Sequence, residues 1–211
     1  MEFLTMQQTI TYFKQCTLVF VSALLLGMSL PAKAQIATSA NLQGTTTAWN
    51  TQCALLFKNA QYEACLSVAR QFWSQARKKS NTTRMAMEEE VSFYQIASML
   101  ALKDSNALSM ANSFLQKHTT PYFIDKINYF LAQYHFRLDH FQLAIPLYEK
   151  ASISNLNNEE IIDLKFELAY CYFNNKNFEK ANSLFAVMKS LPGVYKDAAN
   201  YYYGLIAYNK E

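Results

Sequence analysis

Residues 162–191 read IDLKFELAYCYFNNKNFEKANSLFAVMKSL, and the order of side chains in this stretch decides the fold. The small Ala169 is followed four positions later by the large Phe173, and the aromatic Phe178 precedes a second small residue, Ala181. Two helices that cross closely at the small residues, with the aromatic ring fixing the turn between them, explain this order.

The same order recurs along the chain and predicts a protein built from repeats. A small residue with an apolar residue four positions later occurs at Cys53/Phe57, Ala97/Ala101, Ala132/Phe136, Ala169/Phe173 and Gly204/Tyr208. The small residues are 44, 35, 37 and 35 positions apart. The second small residues are Cys65, Ser109, Ala144 and Ala181, and the turn aromatics are Tyr62, Phe141 and Phe178. We therefore expect an all-α protein with about four helix pairs in residues 48–211, followed within that range by an unpaired C-terminal helix.

This arrangement resembles the tetratricopeptide repeat over the range Ala48 to Glu211. Trp49 stands where that repeat favours an early tryptophan, and Phe178-Glu179-Lys180-Ala181 is similar to its turn motif. The sequence HTTPY at 118–122 is similar to the link between helices in envelope repeat proteins of bacteria with two membranes. The resemblance implies a right-handed superhelical array of antiparallel helix pairs, an α-solenoid, whose concave side binds other proteins.

Local capping chemistry predicts where three helices begin. Thr120 followed by Pro121 is typical of a helix start, because proline is tolerated at the first helical position. Asn157 with Glu160 three residues later resembles a capping box. A last helix is expected to begin near Lys196, after a proline and a glycine break the chain.

Composition excludes several classes of function. The 211-residue chain is 51% hydrophobic and 17% charged, so it can bury a sizeable core. Its four glycines form no phosphate-binding or dinucleotide-binding loop. The net charge is only +3, and no basic run is longer than Arg77–Lys79, which argues against nucleic-acid binding. We expect no cofactor and no nucleic-acid partner.

The N-terminal segment is predicted to direct export. The apolar run Cys16–Leu30 follows Lys14 and precedes an A-x-A pattern that ends at Ala34, as in a cleaved signal peptide. Residues 1–34 are therefore interpreted as the signal peptide and residues 35–47 as a flexible leader. The mature protein would be periplasmic, with peripheral association with the outer membrane as one option. The alternative is an uncleaved segment that holds the protein in the inner membrane.

The first helix of each pair is expected to line the concave side, where a peptide or partner protein would bind. Aromatic rings mixed with polar side chains suit such a groove. The predicted contact residues are Lys126, Tyr129, Gln133, Phe136, Arg137, Phe166, Tyr170, Phe173 and Asn174. The alternative for each aromatic residue is core packing between neighbouring first helices, whereas the polar residues are harder to explain as core.

The cysteines and histidines indicate structural roles rather than catalysis or metal binding. Cys53 and Cys65 occupy the two small positions of one helix pair, so they can form a disulfide or simply serve as small apolar residues. Cys171 has no partner in sequence and is interpreted as a buried thiol. No histidine pair has the spacing of a metal site, and no nucleophile is placed beside a base. We expect neither a metal site nor an enzyme.

The C-terminal helix is rich in tyrosine and lacks a partner helix in the sequence. We expect one of its faces to stay uncovered, available to another protein or to a second copy through Tyr201, Tyr202, Leu205, Ile206 and Tyr208. An alternative function follows from this: a structural spacer or a self-associating fragment of a longer repeat protein.

Overall fold

The computed structural model describes residues 46–76 and 81–208, with side chains for 49–76 and 87–208. These residues form nine α-helices and one short 3-10 helix, Ile153–Asn155, without a strand among them, which confirms the all-α prediction. The helices are α1 (Thr46–Lys58), α2 (Tyr62–Ala76), α3 (Asn81–Ala101), α4 (Ala107–Lys117), α5 (Pro121–Phe136), α6 (Phe141–Lys150), α7 (Asn158–Asn174), α8 (Phe178–Met188) and α9 (Lys196–Tyr208).

The predicted signal peptide and most of the predicted leader lie outside the described residues. Helix α1 begins at Thr46, so the helical region starts two residues earlier than expected. All nine helices belong to one compact unit, Gly44–Glu211. None of the helices in the described ranges combines the length and apolar character needed to cross a membrane.

The predicted helix starts are confirmed. Thr120 is the N-cap of α5 and Pro121 its first residue, although the Thr120 hydroxyl bonds Glu89 instead of capping the helix. Asn157 and Glu160 form a reciprocal capping box at the start of α7, which satisfies two backbone N–H groups that the helix itself cannot pair. Helix α9 begins at Lys196 as expected.

The four turns within helix pairs share one backbone conformation that the sequence did not reveal. Each turn has a residue in the left-handed region, with φ between 55° and 59°, at Ala60, Lys103, Asp139 and Lys176. In every case its N–H bonds the carbonyl three residues back, and the next N–H bonds the carbonyl five residues back. This double hydrogen bond is the Schellman motif, which ends a helix by satisfying its last carbonyls. Glycine usually occupies the left-handed position of this motif. Because none of the four positions is glycine, the sequence contained no cue for these turns.

We expect Lys176→Gly to stabilise the protein by about 0.5–1 kcal/mol, because a side chain is strained in the left-handed region while glycine is not. Urea unfolding of both proteins would measure the difference. The control is Lys165→Gly within α7, where glycine should cost about 1 kcal/mol. Destabilisation by both substitutions would contradict a strained turn.

The helices pack chiefly with their neighbours along the chain. In the described part of the molecule, every extensive contact joins helices that are adjacent or next but one in sequence, such as α5 with α6 and α7. The core is correspondingly divided into successive clusters. The predicted small residues at the crossings are fully buried in the first, third and fourth pairs: Cys53, Cys65, Ala132, Ala144, Ala169 and Ala181.

The second pair departs from the predicted register. Ala97 is buried as expected, but Ser109 is exposed, and Ala107 and Ala111 pack into the core in its place. The cause is a longer turn, because α4 begins four residues after Lys103 whereas the other second helices begin two residues after their left-handed residue.

Candidate functional site

The predicted contact residues of α5 face a row of acidic side chains on α7. Helices α5 and α7 contact each other directly. Lys126 and Gln133 lie on α5, with Arg137 at its C-cap. The acidic residues Glu160, Asp163 and Glu167 recur every three or four positions along α7, so they share one face of that helix. We call this set of six residues the α5–α7 polar face.

Lys126 is a structural ion-pair residue in this face. Only 7% of its surface is exposed, and its ammonium group donates a hydrogen bond to the Glu160 carboxylate. The same carboxylate accepts from the backbone N–H of Asn157 at 2.8 Å, so one side chain both caps α7 and fixes it to α5. The prediction that placed Lys126 on an open groove is therefore corrected: its charge is already neutralised within the chain.

Glu167 is the centre of a second group of hydrogen bonds. The Tyr148 hydroxyl of α6, on a side chain that is 1% exposed, donates to its carboxylate. Gln133 also hydrogen-bonds Glu167, and the positive charge of Arg137 acts on it from α5. Burial outweighs these favourable contacts and raises the pKa of Glu167 to about 7.

Asp163 lies one helical turn before Glu167 and is held by tyrosines. The Tyr195 hydroxyl donates to Asp163 Oδ1 at 2.9 Å, and Tyr129 also hydrogen-bonds the carboxylate. Burial raises the pKa of Asp163 as well. The α5–α7 polar face is thus a network of internal partners, which fixes these side chains in position.

The predicted aromatic contacts follow the core-packing alternative. Tyr129 is 2% exposed, which corrects its placement on an open groove. The other four are partly buried against rings of their own chain: Phe136 on Phe141 and Tyr170, Phe166 stacked on Tyr195 at 4.2 Å between centroids, Tyr170 on Tyr202, and Phe173 on Phe178 and Tyr202. Near the N-terminal helices, Phe57 of α1 likewise contacts Tyr94 and Phe130.

Two predicted polar residues remain exposed. Arg137 is exposed as a residue, but its guanidinium donates a hydrogen bond of 3.4 Å to the Leu100 carbonyl oxygen. Asn174 donates to the Tyr170 carbonyl one turn back in its own helix at 2.9 Å. The third predicted polar residue, Gln133, is partly buried.

Cys53 and Cys65 are both fully buried and both free thiols in the structure. The Cys65 thiol lies 3.7 Å from the Cys53 carbonyl oxygen and 3.8 Å from that of Tyr94. The hydrogen bond from the neighbouring thiol, together with burial, raises the pKa of Cys53. A disulfide between the two cysteines stays a prediction. Cys171 is buried, as expected.

The predicted residues on α9 divide between two faces. Tyr202 and Ile206 are buried against the rest of the fold, which corrects their assignment to an uncovered face. Tyr201 and Tyr208 are 48% and 78% exposed, and Leu205 is partly buried. An association surface on this helix would therefore use Tyr201 and Tyr208.

Sequence reasoning identified Glu160 only as a capping residue, and it did not single out Glu167, Tyr148 or Tyr195. A cue was present, because acidic residues at positions 160, 163 and 167 fall on one helical face beside predicted contacts. Among the described residues, no group of three or more histidine, cysteine or acidic side chains is arranged to hold a metal ion.

Comparison with known proteins returns no match to a family model, to a curated protein or to a solved structure. The likeness to the tetratricopeptide repeat therefore stays a prediction from the residues.

Proposed function

We propose that the protein is a non-enzymatic scaffold that binds a peptide or partner protein along the first helices of a tetratricopeptide-like array. The observation that carries the proposal is the restriction of extensive helix contacts to adjacent and next-but-one helices. Such packing is characteristic of repeat arrays, in which each unit packs against its neighbours and one side of the array remains available for ligands. The Schellman motif that all four turns share supports the same interpretation.

The groove would use polar contacts held in place by the internal network. Arg137 is the strongest candidate, because the residue is exposed and its guanidinium, which bonds the Leu100 carbonyl oxygen through one nitrogen, has further N–H donors for a carboxylate of the ligand. Asn174 adds an exposed amide. We place this activity in an exported compartment, since residues 1–34 have the pattern of a signal peptide.

Peptide selection tests this proposal. The protein, purified after expression of the full chain, would be screened against a displayed random-peptide library, and affinities of selected peptides would be measured by fluorescence polarisation. We expect Arg137→Glu to weaken binding about tenfold or more, because charge reversal replaces an attraction with a repulsion. The matched control is Lys150→Glu, an exposed charge reversal at the end of α6. Equal affinities of both variants would contradict this placement of the groove.

Self-association is the second candidate function, and the exposure of Tyr201 and Tyr208 on α9 favours it. Exposed tyrosines can bury large areas at an interface. Sedimentation over a range of protein concentrations separates the two candidates, since only self-association makes the apparent mass rise with concentration.

A further inference from the structure

Two tyrosine–glutamate hydrogen bonds join α6 and α7 in opposite directions. Tyr148 of α6 donates to Glu167 of α7, and Tyr172 of α7 donates to Glu149 of α6. The chemical groups are the same, so their surroundings decide how each pair behaves.

The carboxylate of the Glu149 pair is at the surface, although Tyr172 is buried. The Lys180 ammonium of α8 lies 3.1 Å from Glu149 Oε1, and the side chains of Lys180 and Glu149 are about half exposed. The hydrogen bond from Tyr172, with help from Lys180, lowers the pKa of Glu149. These partners therefore favour the ionised form of this carboxylate.

The Glu167 pair lies between α7 and the helices that pack on it. From α6 it meets Tyr148, which is 1% exposed, and from α5 it meets Tyr129, Gln133 and the charge of Arg137. The nearby ionisable groups of α7 are Asp163 and Cys171, and Tyr195 approaches from the segment before α9. The charged group that α8 brings to the α6–α7 contact is Lys180, which Glu149 and Tyr172 engage. The positive charge of Arg137 therefore favours the ionised form of Glu167, and the negative charge of Asp163 opposes it.

We propose that Glu167 is a proton-controlled latch, which holds α7 against α5 and α6 when its carboxyl group is neutral and loosens that contact when the group ionises. An ionised carboxylate enclosed between packed helices is poorly solvated, and Asp163 repels it. The neutral carboxyl keeps its hydrogen bonds to Tyr148 and Gln133 without that penalty. The segment that responds is α7, which carries three of the predicted contact aromatics.

The direction of the pH effect follows from the raised pKa of Glu167. Burial raises the pKa of Glu167 from 4.5 to about 7, so between these values the folded protein keeps a proton that the unfolded chain has lost. The stabilising contribution is complete below pH 4.5 and is lost as the pH rises through 7. Loosening is therefore expected on the alkaline side of neutrality.

Hydrogen exchange of the full chain, followed by mass spectrometry at pH 5.5 and 8.0, tests the latch. We expect protection factors in α7 to fall about tenfold or more at the higher pH, since each unit of pKa shift corresponds to a factor of ten. Glu167→Gln, which stays neutral, should show little change between the two pH values. Glu149→Gln is the matched control and should behave like the wild type.

Three results would overturn the latch. The first is wild-type protection in α7 that does not depend on pH. The others are a fall in α7 protection at pH 8.0 in Glu167→Gln as large as in the wild type, or the absence of that fall in Glu149→Gln. The wild type also allows a test that needs no variant. The carbon-13 shift of the Glu167 carboxyl group should titrate with a midpoint near 7, and a midpoint near 4.5 would overturn the proposal.

Discussion

Lys126→Met is expected to lower the free energy of unfolding by about 2–4 kcal/mol, measured by urea denaturation at pH 7. The substitution keeps the length of the side chain but leaves the Glu160 carboxylate without its cation in a position where 16% of the side chain is exposed. A largely buried charge that loses its partner cannot recover the lost energy from solvent. The α5–α7 contact should weaken as a result.

Two further variants separate this role from a surface role. Lys150→Met removes an exposed lysine at the end of α6 and should change stability by less than about 0.5 kcal/mol. Adding Glu160→Gln to Lys126→Met should recover part of the loss, because the amide oxygen can still cap α7 while the unpaired charge is removed. A loss from Lys126→Met no greater than that from Lys150→Met would place Lys126 at the surface after all.

The features that the sequence predicted are those set by neighbouring residues. Asn157 and Glu160 form a capping box because they are three positions apart, and the predicted turn aromatics Tyr62, Phe141 and Phe178 are each the first residue of a second helix. The small residues were identifiable for a similar reason, since close helix crossings recur at a nearly constant interval.

The features that the sequence did not predict depend on pairing across helices. Lys126 and Glu160 are 34 positions apart, and Tyr148 and Glu167 are 19 apart, so no local spacing links either pair. A lysine on an apolar helix is normally assigned to the surface because unpaired charges are rarely buried. That rule failed at Lys126 because the next first helix supplies the countercharge. The position of Glu167 among core aromatics likewise emerges only when three helices pack together.

Tyr202→Ala is expected to lower the free energy of unfolding by about 3–4 kcal/mol. A loss of this size would show that α9 is an integral part of the fold. The Tyr202 ring is stacked on Phe185 with centroids 5.3 Å apart and also meets Tyr170 and Phe173 at 5.4 and 5.1 Å. Truncation would leave a cavity among these rings as well as remove the apolar surface that Tyr202 buries.

Tyr208→Ala in the same helix is the matched control for Tyr202→Ala. Tyr208 is 78% exposed, so its removal should change stability by less than about 0.5 kcal/mol in urea unfolding. The two tyrosines are six positions apart on one helix, and only their faces differ. If both substitutions had equally small effects, α9 would not be docked on α8, and Tyr202 would return to the set of residues available to a partner. A large loss confined to Tyr202 instead assigns to the core a residue that the sequence had offered for association.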